Sequence, residues 1–212
     1  MKKIAFAALA IALFAGCYPS SPTTVQTYDL VVTDYNPDYN FSSATTFSIP
    51  DNVVVVTGEN LSDPDGNGKP DFVKEPYNTQ IINAIKSNLT SIGWSEVDTS
   101  AHPDVWILPT GMQTTTITYY YDYWGYWGWY GGGYYGWYYP GYYPSYASSY
   151  TTGTLFVTMV DKNAVTPDNS LPVEWSFLVN GLLTGSTTSN TTSRISSTIA
   201  QAFTQSPYLA HN

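Results

Sequence analysis

EPYNTQIINAIKSNLTSIGWSEV, residues 75–97, decides the fold class. Ile81, Ile85, Leu89 and Ile92 recur at helical spacing with Ile82 beside them, which predicts an amphipathic helix over Glu75–Ile92. Pro76 suits its first turn, Glu75 complements the positive end of the helix dipole, and Gly93 supplies a stop. Trp94 to Val97 then reads as a short strand. A helix with one apolar stripe must bury it against a partner layer. The rest of the chain supplies that layer.

Strand signals lie on both sides. YDLVV at 28–32, the β-branched run VVVVT at 53–57 and DVWILPT at 104–110 all read as strands. In GTLFVTMVD, 153–161, Leu155, Val157 and Met159 point one way, while Phe156 and Val160 leave little of the other face wet. Val173, Trp175, Phe177 and Val179 alternate with Glu174, Ser176 and Asn180, the pattern of a half-buried strand. A second helix is predicted from about Thr191 to Gln205, with Ile195, Ile199, Ala202 and Phe203 on one face and Pro207 closing it. The expected architecture is α+β: a mostly antiparallel sheet, two amphipathic helices packed on one face, and a long aromatic, glycine-rich hairpin or loop. No fixed-period repeat and no second domain are evident, so residues 28–207 read as one domain.

The amino terminus reads as an address. Lys2 and Lys3 precede an unbroken apolar run, Ile4 to Phe14, and the small residues Ala15-Gly16. That run is too short for a bilayer, which needs roughly 20 helical residues. Residues 1–16 therefore read as an export signal. The sole cysteine, Cys17, follows Phe14-Ala15-Gly16, an arrangement that resembles the lipobox of bacterial lipoproteins, although leucine is usual where Phe14 stands. Acylation with palmitate-like chains at Cys17 would leave no thiol in the mature chain, hence no disulfide, and would tether it through the Pro/Ser/Thr-rich residues 17–27. No acid follows the cysteine in YPSSPTT, so by analogy we expect the periplasm-facing leaflet of the outer membrane. Without Lys2 and Lys3 the 7 basic residues become 5 against 16 acidic ones, a formal charge of −11. That balance excludes a nucleic-acid partner.

NFSSATTF (40–47), PDVWIL (103–108), the aromatic run, GTLFVTMVD and PVEWSFLVNG (172–181) follow one another in an order that resembles the bacterial lipoprotein family called domain of unknown function 4136. The likeness covers roughly 28–207. It departs at Ala44-Thr45, where an aromatic and a basic residue are usual, and in the acidic insert at 63–71. The resemblance implies a fold and an envelope address, not a reaction.

Catalytic signals are sparse. His102 and His211 read as solvated loop histidines, and no nucleophile elbow or zinc-protease motif occurs. An enzyme, such as a hydrolase acting on envelope polysaccharide through paired carboxylates, is the rival reading to a non-catalytic one. DPDGNGKPD, 63–71, resembles an EF-hand type of loop: Asp63, Asp65 and Asn67 at alternate positions, Gly68 at the turn, the Lys69 carbonyl, then Asp71. Lys74 breaks the pattern and Glu75 arrives one residue late. The reading is a structural Ca²⁺ site, against the plainer one of a solvated polar turn.

The stretch 119–150 holds 14 of the 20 tyrosines and 4 of the 7 tryptophans. Its rings, Trp124, Trp127, Trp129, Tyr130, Tyr134 and Trp137 in particular, are candidates for binding. They suit stacking on glycans, anchoring at a membrane or an envelope protein, self-association, or folding back on their own sheet. The expected function is a lipid-anchored envelope protein of non-catalytic, binding or structural role.

Overall fold

The structure is a computed structural model that describes residues 30–56, 70–113, 127, 153–161, 163–164, 172–184 and 188–211. Seven strands form one mixed sheet: β1 (Val31–Tyr35), β2 (Thr46–Ser48), β3 (Val54–Val56), β4 (Ser95–Glu96), β5 (Val105–Met112), β6 (Thr154–Val160) and β7 (Val173–Val179). Their order is β1-β7-β6-β5-β2-β4, with β3 also on β5. The pairs β1/β7, β7/β6 and β6/β5 are antiparallel, while β2 and β3 run parallel to β5 and β4 parallel to β2.

β2 and β3 share one edge of β5. β2 meets Val105 and Trp106; β3 meets Thr110 to Met112. Pro109, which carries no backbone donor, falls between the two pairings. Residues 49–53 loop out of the sheet at this break.

Helices α1 (Tyr77–Ser91) and α2 (Thr188–Thr204) pack on each other and cover one face, as the apolar stripes predict. Ile81, Ile85 and Leu89 of α1 and Ile195, Ile199 and Ala202 of α2 meet Phe47, Val105, Ile107, Leu155, Val157, Met159, Trp175 and Phe177. The end of α1 is a Schellman turn. Trp94 N–H donates to Leu89 O at 3.1 Å and Gly93 N–H to Thr90 O at 3.1 Å, around Gly93 at φ 101°.

The opposite face is apolar too. Val54, Val56, Trp106, Leu108, Met112, Phe156, Val160 and Leu178 form a second buried cluster. β5, β6 and β7 are consequently buried along their whole length. This corrects the half-buried reading of 173–179: Ser176 and Glu174, which alternation assigns to solvent, are buried too. A bulge between Met159 and Val160 moves Val173 opposite Val160, so Val173 joins the second cluster rather than the helix side.

Candidate functional site

Cys17, Asp63, Asp65, Asn67, Lys69, Trp124, Trp129, Tyr130, Tyr134 and Trp137 lie outside the described residues, as do residues 1–29. Two of the sequence candidates, Asp71 and Trp127, can be placed.

Asp71 stands at the exit of the acidic loop. Its carbonyl accepts from Val55 N–H at 2.8 Å, Val73 N–H donates to Val53 O at 2.9 Å, and Phe72 bridges Val54. The end of β3 and residues 71–73 are thereby clasped together. Among the described residues no group of three or more carboxylates, histidines or cysteines is placed to hold a metal.

Trp127 is fully buried, at 0% exposure, in the second cluster with Trp106, Leu108 and Phe156. Its ring is thus packed against the sheet and is no free stacking surface. The physical reason is the apolar second face. A sheet with Val, Leu, Met and Phe on both sides needs cover on both, and an indole supplies a large apolar area with a single polar atom.

The break between β2 and β3 opens a notch of about 530 Å³, lined by Ser48, Pro50, Asp51, Asn52, Glu96 and Asp98 among others. Asn78, in the first turn of α1, fixes its wall. Its Oδ1 accepts from Val53 N–H at 2.8 Å, and its Nδ2 reaches Asp51 O at 3.1 Å and Glu75 Oε1 at 3.2 Å. Glu96 pairs with Lys86 at 2.7 Å. Asp98 accepts from Ser100 N–H at 2.8 Å, and hydrogen bonding from Ser100 holds its carboxyl below the usual range. Carboxylates thus gather at one opening, but Glu96 and Asp98 are already engaged. A general acid, by contrast, needs a raised pKa.

The acid that burial does raise is elsewhere. Glu174 is 1% exposed, and burial pushes its carboxyl above the usual range. The Asn36 amide opposes this, donating to Glu174 Oε2 at 2.8 Å, while nearby Asp161 adds to it. Tyr39 OH makes a long 3.4 Å contact to Asp161 Oδ2, and burial first, then the charges of Asp161 and Glu174, raise the phenol. These four residues tie the ends of β1, β6 and β7 together. With Glu174 sealed from solvent, the group braces the sheet end rather than facing a substrate cleft. Alternation read Glu174 as an outward residue. The one signal pointing otherwise was the apolar run of the neighbouring strand, whose second face also needed burial.

Asp104 has a similar structural task. It accepts from Thr45 N–H, Thr46 N–H and Thr46 Oγ1 at 2.8–2.9 Å. Burial pushes its carboxyl up, but these bonds outweigh that and hold it below the usual range. His211 departs from the solvated reading. Its backbone N–H donates to Ile92 O at 2.9 Å, and its ring lies 4.9 Å from that of Trp94. His102 sits exposed in a left-handed turn, as a loop histidine should.

Comparison with known proteins adds a lineage. None of the curated proteins matches the chain. Among solved structures, a DUF4136 family protein from Bacteroides thetaiotaomicron VPI-5482 is similar: 32% identity over 86% of this chain and 97% of that one, TM-score 0.64. Fainter likenesses are to a PelC dodecamer from Paraburkholderia phytofirmans (12% identity, 86% and 99% coverage, TM-score 0.39) and a PDZ domain protein from Parabacteroides distasonis ATCC 8503 (16%, 86% and 36%, 0.43). At those scores the two carry no argument about this chain. The family described as Domain of unknown function (DUF4136) matches residues 31–208, the whole span from β1 to the turn after α2, and the chain belongs to that family.

Proposed function

We propose that this chain is a lipid-anchored cell-envelope protein with a non-catalytic binding or structural role. In this reading Cys17 carries the acyl chains, and the aromatic segment 119–150 meets a partner, a glycan or a membrane surface. The observation that carries the binding part is the burial of Trp127. A tryptophan seated in the second apolar cluster roots the run on the sheet. The engagement of Glu96 and Asp98 and the sealing of Glu174 weigh against the polysaccharide hydrolase.

The test replaces Trp124, Trp129 and Trp137 together by Ala and keeps Trp127. Peptidoglycan fragments, polysaccharide fragments and anionic or neutral lipid vesicles are titrated while tryptophan fluorescence is read. A saturable change with one of these in the parent chain, lost in the triple variant, supports the reading. A flat response to all of them overturns it. The anchor is tested separately: radiolabelled palmitate must mark the parent and not Cys17→Ser.

The loop carrying Asp63, Asp65, Asn67, Lys69 and Asp71 is proposed to take Ca²⁺ in a purely structural role. The hydrogen bond from Val55 N–H to Asp71 O supports this by bringing the residues that flank the loop together. A melting temperature indifferent to chelator would remove it.

A further inference from the structure

β1 is an edge strand, and its hydrogen-bonding parity can be read from its ends. Asn180 N–H donates to Leu30 O at 3.1 Å and Asn36 N–H to Glu174 O at 2.8 Å. In an antiparallel ladder this turns the backbone groups of the even residues toward β7. Those of Val31, Thr33 and Tyr35 therefore face away from the sheet. Two have weak or local substitutes: Val31 O accepts from Gln205 Nε2 at 3.5 Å, and Tyr35 N–H donates to Asp34 Oδ1 at 2.9 Å. Among the described residues, Thr33, midway between them, has no such substitute. An open edge of this kind invites another strand. The opposite edge does not, because β4 has only two residues.

We infer that a second copy of this chain pairs with this edge, β1 against β1, antiparallel about Thr33. The strand VVTDY is self-complementary in that register. Thr33 faces Thr33 of the copy, each donating N–H to the other's carbonyl. Val31 faces Tyr35 at both ends. The threonine–threonine cross-strand pair is favourable, while Val31 is already packed in the helix-side core and contributes its backbone. Leu30 at 58% and Tyr35 at 41% are the exposed large hydrophobic residues among those described, and they bracket this strand. Tyr35 is already stacked on Tyr208 at a ring separation of 4.0 Å, so it meets a partner pre-ordered. Asp34 faces Val32 of the copy and lies diagonal to the other Asp34. That repulsion keeps the pairing reversible and disfavours parallel alignment, which would set the two acids side by side. The result is a two-fold dimer with one continuous sheet.

The test is a cross-link in the full chain within its own membranes. Opposed residues of a hydrogen-bonded antiparallel pair have Cα atoms about 5.5 Å apart, inside the range a disulfide spans. Under mild oxidation Thr33→Cys is expected to give a band of twice the chain mass that disappears on reduction. Val32→Cys, which faces Asp34 of the copy and not itself, and the unsubstituted chain treated alike, are expected to give little. Thr33→Pro removes an outward N–H without touching the β1/β7 ladder, and is expected to abolish amine-directed chemical cross-linking of the dimer while leaving the melting curve cooperative. A monomeric Thr33→Cys band, equal yields from Val32→Cys, or a Thr33→Cys adduct with a different protein would each overturn the proposal.

Discussion

Replacing Gly93 by Ala tests the local logic of this fold at one atom. Gly93 sits at φ 101°, where an L-residue is strained. A Cβ there would lie 2.9 Å from His211 Cβ and 3.3 Å from His211 O. Holding a residue with a Cβ at positive φ costs about 1–2 kcal/mol. Crowding in a packed site adds about 1–3 kcal/mol. The stiffer unfolded chain returns about 0.4–1 kcal/mol. The net expectation is a loss of about 1–5 kcal/mol, or a fall in Tm of about 2–20 °C for a domain of this size. Thermal melts of the parent, Gly93→Ala, His211→Gly and the double variant separate the terms. Because His211→Gly removes the atom that collides, Gly93→Ala should cost measurably less in that background, and the coupling isolates the clash from the backbone strain. A neutral or stabilising Gly93→Ala, or a cost unchanged by His211→Gly, would refute the close packing of the carboxyl-terminal turn on the end of α1.

Trp127→Ala should cost about 3–5 kcal/mol, as large aromatic truncations in a core do, whereas Trp124→Ala and Trp129→Ala should leave Tm nearly unchanged; urea melts distinguish them. Asn78→Ala strands the buried Val53 N–H and should cost about 1–3 kcal/mol, while Asn78→Asp keeps that acceptor but loses the donors to Asp51 O and Glu75 and should also destabilise at neutral pH. Glu174→Gln is expected to stabilise the protein at neutral pH and do little in acid. Its folded pKa is raised, so the native state holds the proton longer and stability declines as pH rises from the ordinary carboxylate range through the folded value. Asp104→Asn should behave oppositely. Its folded pKa is lowered, so the carboxylate stabilises above the ordinary range, and the difference between variant and parent should shrink as pH falls through the folded value.

How far the fold was legible follows from where its information is local. The two helices were, because Ile81, Ile85 and Leu89, and Ile195, Ile199 and Phe203, repeat their spacing within each segment, and both stripes do meet the same sheet face. Gly93 was, because a positive φ is a property of one residue. The strand expected at 28–32 lies three residues ahead of β1, whose bounds depend on its match to β7 and not on its own apolar content. The candidate site was less legible. Nothing near Glu174 in the sequence announces Asn36 or Asp161, which arrive from two other strand ends. The notch exists because β2 and β3 leave β5 on either side of Pro109, a fact about pairing that neither segment carries alone.

Periodicity, the carboxyl-terminal stop of α1 and the inward set of residues on each helix are thus properties of the chain read in order, because they depend on neighbours within a few positions. Which strands pair, that the sheet is buried on both faces, that Trp127 is core, and that Glu174 loses its water were decided in three dimensions. A side chain's surroundings are set by segments distant in sequence, and alternation can say that a strand has two faces without saying what lies against the second.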